Sequence, residues 1–240
     1  MSADQHRLLI IGDSMTLGIT ELRGNEIVST TSSTYVDILR DFFKDWQIEV
    51  NASIHRRTAD VLPMLDDLLI ANKPDRVIFA LGGNDADLDW KRFIVSQGRV
   101  VRTQVTVEKL RGNLLKLIEM ARAHHVDPII TCFVSHNLLI RSEYISQLSG
   151  MDVRAWVVQG GGEKVSEPML QEYWQMIEKL AVEQQVVVVR HGPLLRTFDA
   201  KIVLAPDGTH PSAAGHQVIA QAMIAALTSS KPEIDALAAG

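Results

Sequence analysis

Apolar residues in this sequence fall into short runs, separated by longer stretches in which apolar and polar positions alternate at helical spacing. Residues 7–11 form the first run, which Gly12 closes. A short apolar run that ends in a turn residue is typical of a strand buried on both faces. The same pattern predicts further strands at residues 48–52, 76–81, 128–134 and 186–190.

Between the predicted strands, apolar positions recur as they do on one face of a helix. The pattern is strongest over residues 106–124, where Leu110 and Leu114 share a face. Ser33 and Ser166 are residue types that cap helix N-termini, and each precedes a helical pattern. The further helices are predicted at residues 33–45, 58–71, 168–184 and 212–227.

The order of these elements predicts the fold. Strands that alternate with helices indicate a parallel sheet covered on both faces. Right-handed crossovers favour a doubly wound, flavodoxin-like α/β fold, a three-layer α/β/α sandwich with about five strands in the order 2-1-3-4-5. We expect one domain over residues 1–240, with long loop insertions at about 85–105 and 135–166. The consecutive glycines at 160–162 are expected to be a flexible point in a lid.

The composition is that of an ordinary globular protein. Of the 240 residues, 46% are hydrophobic and 22% are charged, so disorder is not expected. The net charge of −5 argues against a nucleic-acid-binding protein, which usually carries a basic excess. Cys132 is the single cysteine, which excludes a disulfide within the chain and suits a reducing compartment.

The sequence lacks the patterns of a membrane span, a signal peptide and a metal site. No apolar stretch reaches the about 20 residues of a membrane span, and the N-terminus carries no signal-peptide pattern. We therefore expect a cytoplasmic protein without a transmembrane segment. No Cys or His cluster has the spacing of a metal site, and the adjacent His124 and His125 end a helix, so no metal is expected.

Three polar segments follow predicted strands. In open α/β sheets, ligands bind beyond the carboxyl ends of the strands, at the point where the strand order reverses. Residues 12–14 (GDS) end the first strand, and residues 82–85 (GGND) end the third. Residues 207–211 (DGTHP) end the loop after the fifth strand. A hydroxyl, a carboxamide and an imidazole should therefore meet in one crevice.

These side chains fit nucleophilic catalysis by serine. The hydroxyl of Ser14 is nearly undissociated at neutral pH and needs a base, which His210 can supply. Asp207 would fix the imidazole tautomer and balance its charge after protonation. The attacked carbonyl becomes an oxyanion, for which the backbone N–H of Ser14 and the side-chain amide of Asn84 are suitable donors.

At these positions the sequence resembles the SGNH, or GDSL-type, hydrolase superfamily. Residues 11–18 (IGDSMTLG), 82–85 and 207–215 (DGTHPSAAG) match its first, third and fifth blocks. The resemblance implies Ser14 as nucleophile, Asp207 and His210 as its partners and Asn84 as an oxyanion donor. It also implies a three-layer α/β/α fold and no cofactor.

The second block of the family departs from its pattern here. Residues 50–58 (VNASIHRRT) match its frame, but Arg56 stands where the family commonly has a glycine whose backbone N–H is an oxyanion donor. A backbone donor survives a change of side chain if the backbone angles are kept. We therefore expect Arg56 to donate its N–H, with its guanidinium reaching into the cleft or away from it. Arg56 and Gly83 are expected to contact substrate, and Arg56 hints at a preference for an anionic group.

The resulting expectation is a serine esterase that hydrolyses carboxylic esters, with short acyl groups such as acetyl preferred, through an acyl-enzyme. Its substrate would be a small-molecule, carbohydrate or lipid ester. One alternative is an acyltransferase that uses the same triad and excludes water. Another is a non-catalytic domain that binds an acylated or anionic ligand. A nucleotide- or flavin-binding module is disfavoured, because residues 12–18 lack a phosphate-loop pattern.

Several other residues have plainer interpretations. Asp13 and Asp85 are expected to be structural, and His216 to lie at the surface or in packing. Aromatic residues in the two long connections could stack on a sugar, cover an acyl chain or pack a lid: Trp90, Tyr144 and Trp156. The basic residues near the expected mouth are interpreted as solvated loop charge, with an anion-binding site as the alternative: Arg56, Arg57, Lys91, Arg92, Arg99, Arg102, Arg141 and Arg154.

Overall fold

The five predicted strands form one parallel sheet. A computed structural model describes residues 6–133 and 137–229, without the side chains of residues 163, 165 and 166. The strands are β1 (Arg7–Gly12), β2 (Ile19–Arg23), β3 (Glu26–Thr30), β4 (Gln47–Ala52), β5 (Arg76–Ala80), β6 (Asp127–Thr131) and β7 (Val187–Val189). The sheet order is β4-β1-β5-β6-β7, which confirms the predicted order 2-1-3-4-5.

Helices cover both faces of this sheet and explain its continuous apolar runs. Leu8 and Ile10 of β1 belong to one core cluster, whereas Leu9 and Ile11 belong to another on the opposite face. All of these residues are at most 1% exposed. Successive side chains of a strand point to opposite faces, so a strand covered on both sides must be apolar at every position.

Twelve α-helices occur within the described ranges. They are α1 (Tyr35–Phe42), α2 (Thr58–Val61), α3 (Leu65–Asn72), α4 (Gly83–Ala86), α5 (Trp90–Val95), α6 (Val107–Ala123), α7 (Leu138–Ser149), α8 (Val153–Gln159), α9 (Glu163–Gln184), α10 (His191–Leu195), α11 (Ala200–Val203) and α12 (Ala213–Thr228). None of the described helices is long and apolar enough to cross a membrane.

Two predicted helix starts were wrong. The first helix is capped by Thr34 rather than Ser33: Thr34 and Asp37 exchange hydrogen bonds with each other's backbone N–H groups. This reciprocal cap satisfies two donors that a helix start leaves free. Helix α9 begins at residue 163, so Ser166 lies inside it and does not cap it, and Pro168 is internal rather than its first residue.

The single helix predicted over residues 58–71 is interrupted. Helix α2 ends at Val61, a 3-10 turn spans Leu62–Met64, and α3 follows. Pro63 lies in the 3-10 turn. Proline has no backbone N–H, so it cannot continue the hydrogen-bonding pattern of an α-helix, and the chain changes helix type there.

The long loop predicted over residues 135–166 is largely helical, since it contains α7 and α8. These helices pack with α5 around a small core cluster of their own, made of Leu88, Phe93, Leu138, Val153 and Val157. The burial comes from contacts between distant segments, which local periodicity cannot reveal. Gly160 ends α8 and Gly162 precedes α9, so the three glycines join two helices.

Strands β2 and β3 form an antiparallel hairpin that the sequence pattern did not predict. Every residue of β3 is exposed, so this strand has no buried apolar run of the kind that predicts the central strands. Its turn contains Gly24, whose φ of +62° suits glycine. The carbonyl of Gly24 lies 2.9 Å from His55 Nε2, which ties the tip of the hairpin to the loop after β4.

The central sheet should dominate stability. We expect Phe79→Ala, which empties a fully buried site in β5, to lower the free energy of unfolding by about 3–5 kcal/mol. The matched variant Phe42→Ala removes a ring that is 58% exposed and should change it by about 0.5 kcal/mol or less. Urea denaturation followed by circular dichroism measures both. Equal losses in the two variants would contradict the assigned core.

Candidate active site

Ser14 lies in the tight turn that follows β1. The Asp13 side chain accepts a hydrogen bond from the Met15 N–H at 2.9 Å, which closes this turn. A Cβ atom at Gly12 would lie 1.8 Å from Thr16 Oγ1, so only glycine fits there. Ser14 itself is 4% exposed. The turn therefore presents its hydroxyl at the carboxyl end of the sheet.

The structure brings Ser14, His210 and Asp207 together. Ser14 Oγ lies 2.9 Å from His210 Nε2, and His210 Nδ1 lies 2.6 Å from Asp207 Oδ2. Asp207 Oδ1 accepts hydrogen bonds from the backbone N–H groups of Thr209 and His210. The loop that carries the imidazole therefore also orients the carboxylate. With Nδ1 protonated, the arrangement lets Nε2 accept the proton of the serine hydroxyl.

The electrostatics of Asp207 suit this arrangement. The side chain is fully buried, which by itself would raise the pKa of its carboxyl group. Hydrogen bonds from the His210 side chain and from the backbone of His210 and Thr209 outweigh burial and hold the pKa of Asp207 below its usual value. The group therefore stays ionised at neutral pH, where it favours the imidazole orientation that faces Ser14.

Asn84 connects two other loops of the site. Its Nδ2 lies 3.1 Å from Asp13 Oδ2 and 3.1 Å from the carbonyl oxygen of Arg56. The carboxamide thus donates to protein acceptors and links the loops after β1, β4 and β5. Gly83 precedes it and lines the same cleft.

Arg56 keeps an available backbone donor and turns its guanidinium away from the cleft. Its φ is not positive, whereas that of the preceding His55 is +57°, so the left-handed turn falls on His55. Among the described residues, none accepts a hydrogen bond from the backbone N–H of Arg56 or of Ser14. Arg56 Nη1 donates to the backbone and side-chain oxygens of Asn51, both at 2.7 Å. The guanidinium is therefore held by β4.

The cleft has a volume of about 240 Å³. Its lining residues are Ser14, Met15, Leu22, Gly24, Asn25, His55, Gly83, Asn84, Asp87, Arg141, Thr209 and His210. Of the basic residues expected near the mouth, Arg141 is the one in this set, and Trp90, Tyr144 and Trp156 are outside it. The hairpin tip reaches the cleft through tertiary packing, so no local sequence signal points to it, whereas Arg141 is one of the basic residues expected near the mouth.

Three residues expected to have structural roles are buried. The Asp85 carboxylate accepts hydrogen bonds from the Thr58 N–H and hydroxyl, at 3.0 and 2.6 Å, and burial raises its pKa. His216 is fully buried, so of the two expected positions it takes the one in packing, and its Nδ1 accepts the Tyr35 N–H at 3.2 Å. Burial lowers the pKa of His216 to about 4. Burial also raises the pKa of Asp13 to about 6.

The described residues contain no group of three or more His, Cys, Asp or Glu side chains arranged to hold a metal ion.

The raised pKa of Asp13 predicts a pH-dependent stability. Between about pH 4 and 6 the unfolded chain ionises Asp13 while the folded chain keeps it protonated, so the protein loses about 3 kcal/mol of unfolding free energy as pH rises. We expect Asp13→Asn to abolish this loss. Denaturation at several pH values measures it, with the exposed Asp45→Asn as the matched control. Parallel curves for Asp13→Asn and the wild type would contradict the assignment.

Comparisons with known proteins agree with this architecture. The sequence matches the GDSL-like lipase/acylhydrolase family over residues 10–218. A comparison with curated protein sequences found no match. Among solved structures, TesA is similar with 16% identity and a TM-score of 0.64, over 93% of this chain and 98% of that one.

Two further structures are similar in fold. A lipase/acylhydrolase from Enterococcus faecalis has 18% identity and a TM-score of 0.63, over 92% of this chain and 94% of that one. An acetylxylan esterase from Geobacillus stearothermophilus, crystallised as a catalytic mutant, has 19% identity and a TM-score of 0.61, over 93% of this chain and 94% of that one. With the family match over most of its length and the same α/β fold, the chain belongs to the GDSL-like lipase/acylhydrolase family.

Proposed function

We propose that this protein is a serine esterase that hydrolyses short-chain acyl esters, acetyl esters in particular. One observation carries the proposal: the continuous hydrogen-bonded series from Asp207 through His210 to Ser14 on the floor of a solvent-open cleft. Each member is at most 4% exposed, so water does not compete for these bonds. The three residues act as nucleophile, base and orienting carboxylate.

The first half of the reaction acylates Ser14. The oxygen of its hydroxyl attacks the ester carbonyl carbon while His210 Nε2 takes the proton. The carbonyl π electrons move onto oxygen, and Asp207 stabilises the imidazolium that forms. The C–O bond to the alcohol then breaks, and His210 returns the proton to the departing oxygen. The alcohol leaves, and the acyl group stays on Ser14.

The second half releases the acid. Water, deprotonated by the same His210 nitrogen, attacks the acyl carbon, and the bond to Ser14 Oγ breaks as that oxygen regains the proton. The open cleft admits water next to Ser14, which favours hydrolysis over transfer to another alcohol. An acyltransferase would need a group that excludes water at this step.

The oxyanion of both steps needs fixed donors. The backbone N–H groups of Ser14 and Arg56, which have no acceptor among the described residues, supply two of them. Asn84 becomes the third when one hydrogen of its amide turns from Asp13 or from the Arg56 carbonyl toward the substrate. Each such donor is worth roughly 3–4 kcal/mol of transition-state stabilisation.

The lining of the cleft supports a short acyl group. Met15 and Leu22 are its apolar side chains, so a long alkyl chain would find few partners there. A structural neighbour is an acetylxylan esterase, which adds weight to an acetyl ester as substrate. The alternative of a non-catalytic binding domain is disfavoured, because such a domain has no need for three side chains in hydrogen-bonding order.

The nucleophile is tested with p-nitrophenyl acetate, butyrate and octanoate. We expect the acetate or butyrate to be preferred, and Ser14→Ala to lower turnover at least about 1,000-fold. The exposed Ser33→Ala is the matched control and should retain activity. Phenylmethylsulfonyl fluoride should label Ser14, as detected by mass spectrometry. Equal turnover by the wild type and Ser14→Ala, with no label on Ser14, would refute the proposal.

The role of Arg56 is tested separately. Because the donor is a backbone N–H, Arg56→Gly should keep kcat for p-nitrophenyl acetate within about 5-fold of the wild type. Its thermal stability should fall, since the bonds to Asn51 are lost. A loss of kcat above about 100-fold in a folded variant would show that the side chain, rather than the backbone, serves the reaction.

A further inference from the structure

We propose that Arg141 binds a carboxylate group of the substrate, so that the preferred esters are acidic ones. This inference rests on the proposed function, because Arg141 and Ser14 line the same cleft. It differs from the expectation that Arg56 favours an anionic group, because the guanidinium of Arg56 is hydrogen-bonded to Asn51 and Arg56 does not line the cleft.

Helix α7 holds Arg141 in a fixed position relative to the catalytic loop. The Asn137 N–H donates to the carbonyl of Gly208 at 2.8 Å. A Cβ atom at Gly208 would lie 2.6 Å from the backbone nitrogen of Arg141, so the loop packs directly on the backbone of α7. The φ of Gly208 is +71°, which also favours glycine there. The backbone of Arg141 is therefore fixed beside the loop that carries Asp207 and His210.

Within the part of the chain that the structure describes, the guanidinium of Arg141 has few hydrogen-bond partners. Nη1 lies 3.4 Å from the carbonyl oxygen of Asp207. Nε is buried and has no partner, and Nη2 donates to none of the described residues. The side chain is 21% exposed, and Arg141 lines the cleft that holds Ser14. A guanidinium with free donors at the edge of a cleft suits a planar carboxylate.

Asp207 is an ion-pair partner of Arg141, but it occupies only one of the guanidinium nitrogens. Its Oδ1 already accepts two backbone N–H groups, and its Oδ2 accepts His210 Nδ1 at 2.6 Å. Arg141 Nη1 is 3.6 Å from Oδ2, which is within ion-pair distance but too long for a hydrogen bond. The Asp207 carboxylate is thus held in place without Arg141.

Arg141 is the permanent cation among the residues that line the cleft. Asp87 also lines the cleft, and its carboxylate accepts the Leu88 N–H and the Trp90 indole N–H. The guanidinium carbon of Arg141 lies 5.6 Å from the ring centroid of Tyr144, so a cation–π interaction helps to hold the guanidinium in place. Arg141 is the one lysine or arginine among the lining residues.

Matched ester pairs test the inference. One pair, 4-acetoxybenzoate and 4-acetoxybenzamide, places the charge on the alcohol. The other, 4-nitrophenyl hydrogen adipate and 4-nitrophenyl adipamate, places it on the acyl group. For one pair we expect Arg141→Met to lower the anionic-to-neutral ratio of kcat/KM at least about 10-fold, and Arg141→Lys to lower it less. Arg154→Met is the matched control, because Arg154 on α8 is exposed and lies outside the cleft lining.

An unchanged ratio in Arg141→Met for both pairs would overturn the inference. An equal loss for the neutral and anionic esters would also overturn it, because Arg141 would then act through Asp207. The affected pair identifies whether the carboxylate belongs to the alcohol or to the acyl group.

A binding measurement separates this inference from the proposed function. Calorimetry on Ser14→Ala should show at least about 5-fold tighter binding of one anionic ester than of its neutral partner, and the added Arg141→Met should remove the difference. If the anionic esters bind no tighter, the assignment of Arg141 fails even when esters are hydrolysed. If they bind tighter but Ser14 is neither labelled nor needed for turnover, the esterase proposal fails and the carboxylate site stands.

Discussion

The short hydrogen bond between Asp207 and His210 is the interaction on which the rest of the site depends. A carboxylate buried this completely would be costly unless it were well bonded, and the same short loop supplies every one of its donors. That loop turns tightly at Gly208, whose positive φ favours glycine. It also packs on the backbone of α7, where a larger residue at 208 would not fit. The position of His210, and hence the bond to Ser14, follows from these constraints.

A second network ties together the loops that carry the oxyanion donors. The Asp13 carboxylate closes the turn that presents Ser14 and also receives the Asn84 amide, whose nitrogen in turn reaches the Arg56 carbonyl. The backbone N–H groups of Ser14 and Arg56 are therefore fixed relative to each other by one buried acid. This network gives Asp13, which directly precedes the nucleophile Ser14, a structural role that involves no proton transfer with the substrate.

The sequence predicts well what depends on position along a strand. Burial on both faces makes each central strand an unbroken apolar run, so the strands and their order could be predicted. The residues at the strand ends then followed, and Ser14, Asp207 and His210 do meet. Helices α7 and α8 and the hairpin could not be predicted, because their stability comes from contacts between distant segments. The orientation of Arg56 was open for the same reason, since Asn51 holds its guanidinium.

The most direct test of the central claim is to trap the covalent intermediate. The protein would be mixed with p-nitrophenyl acetate, quenched in acid during turnover, digested and analysed by mass spectrometry. The account predicts that one acetyl group is found on the peptide containing Ser14, and that it is located on Ser14 itself. Turnover accompanied by an acetyl group on a different residue, or turnover that persists in Ser14→Ala, would contradict it.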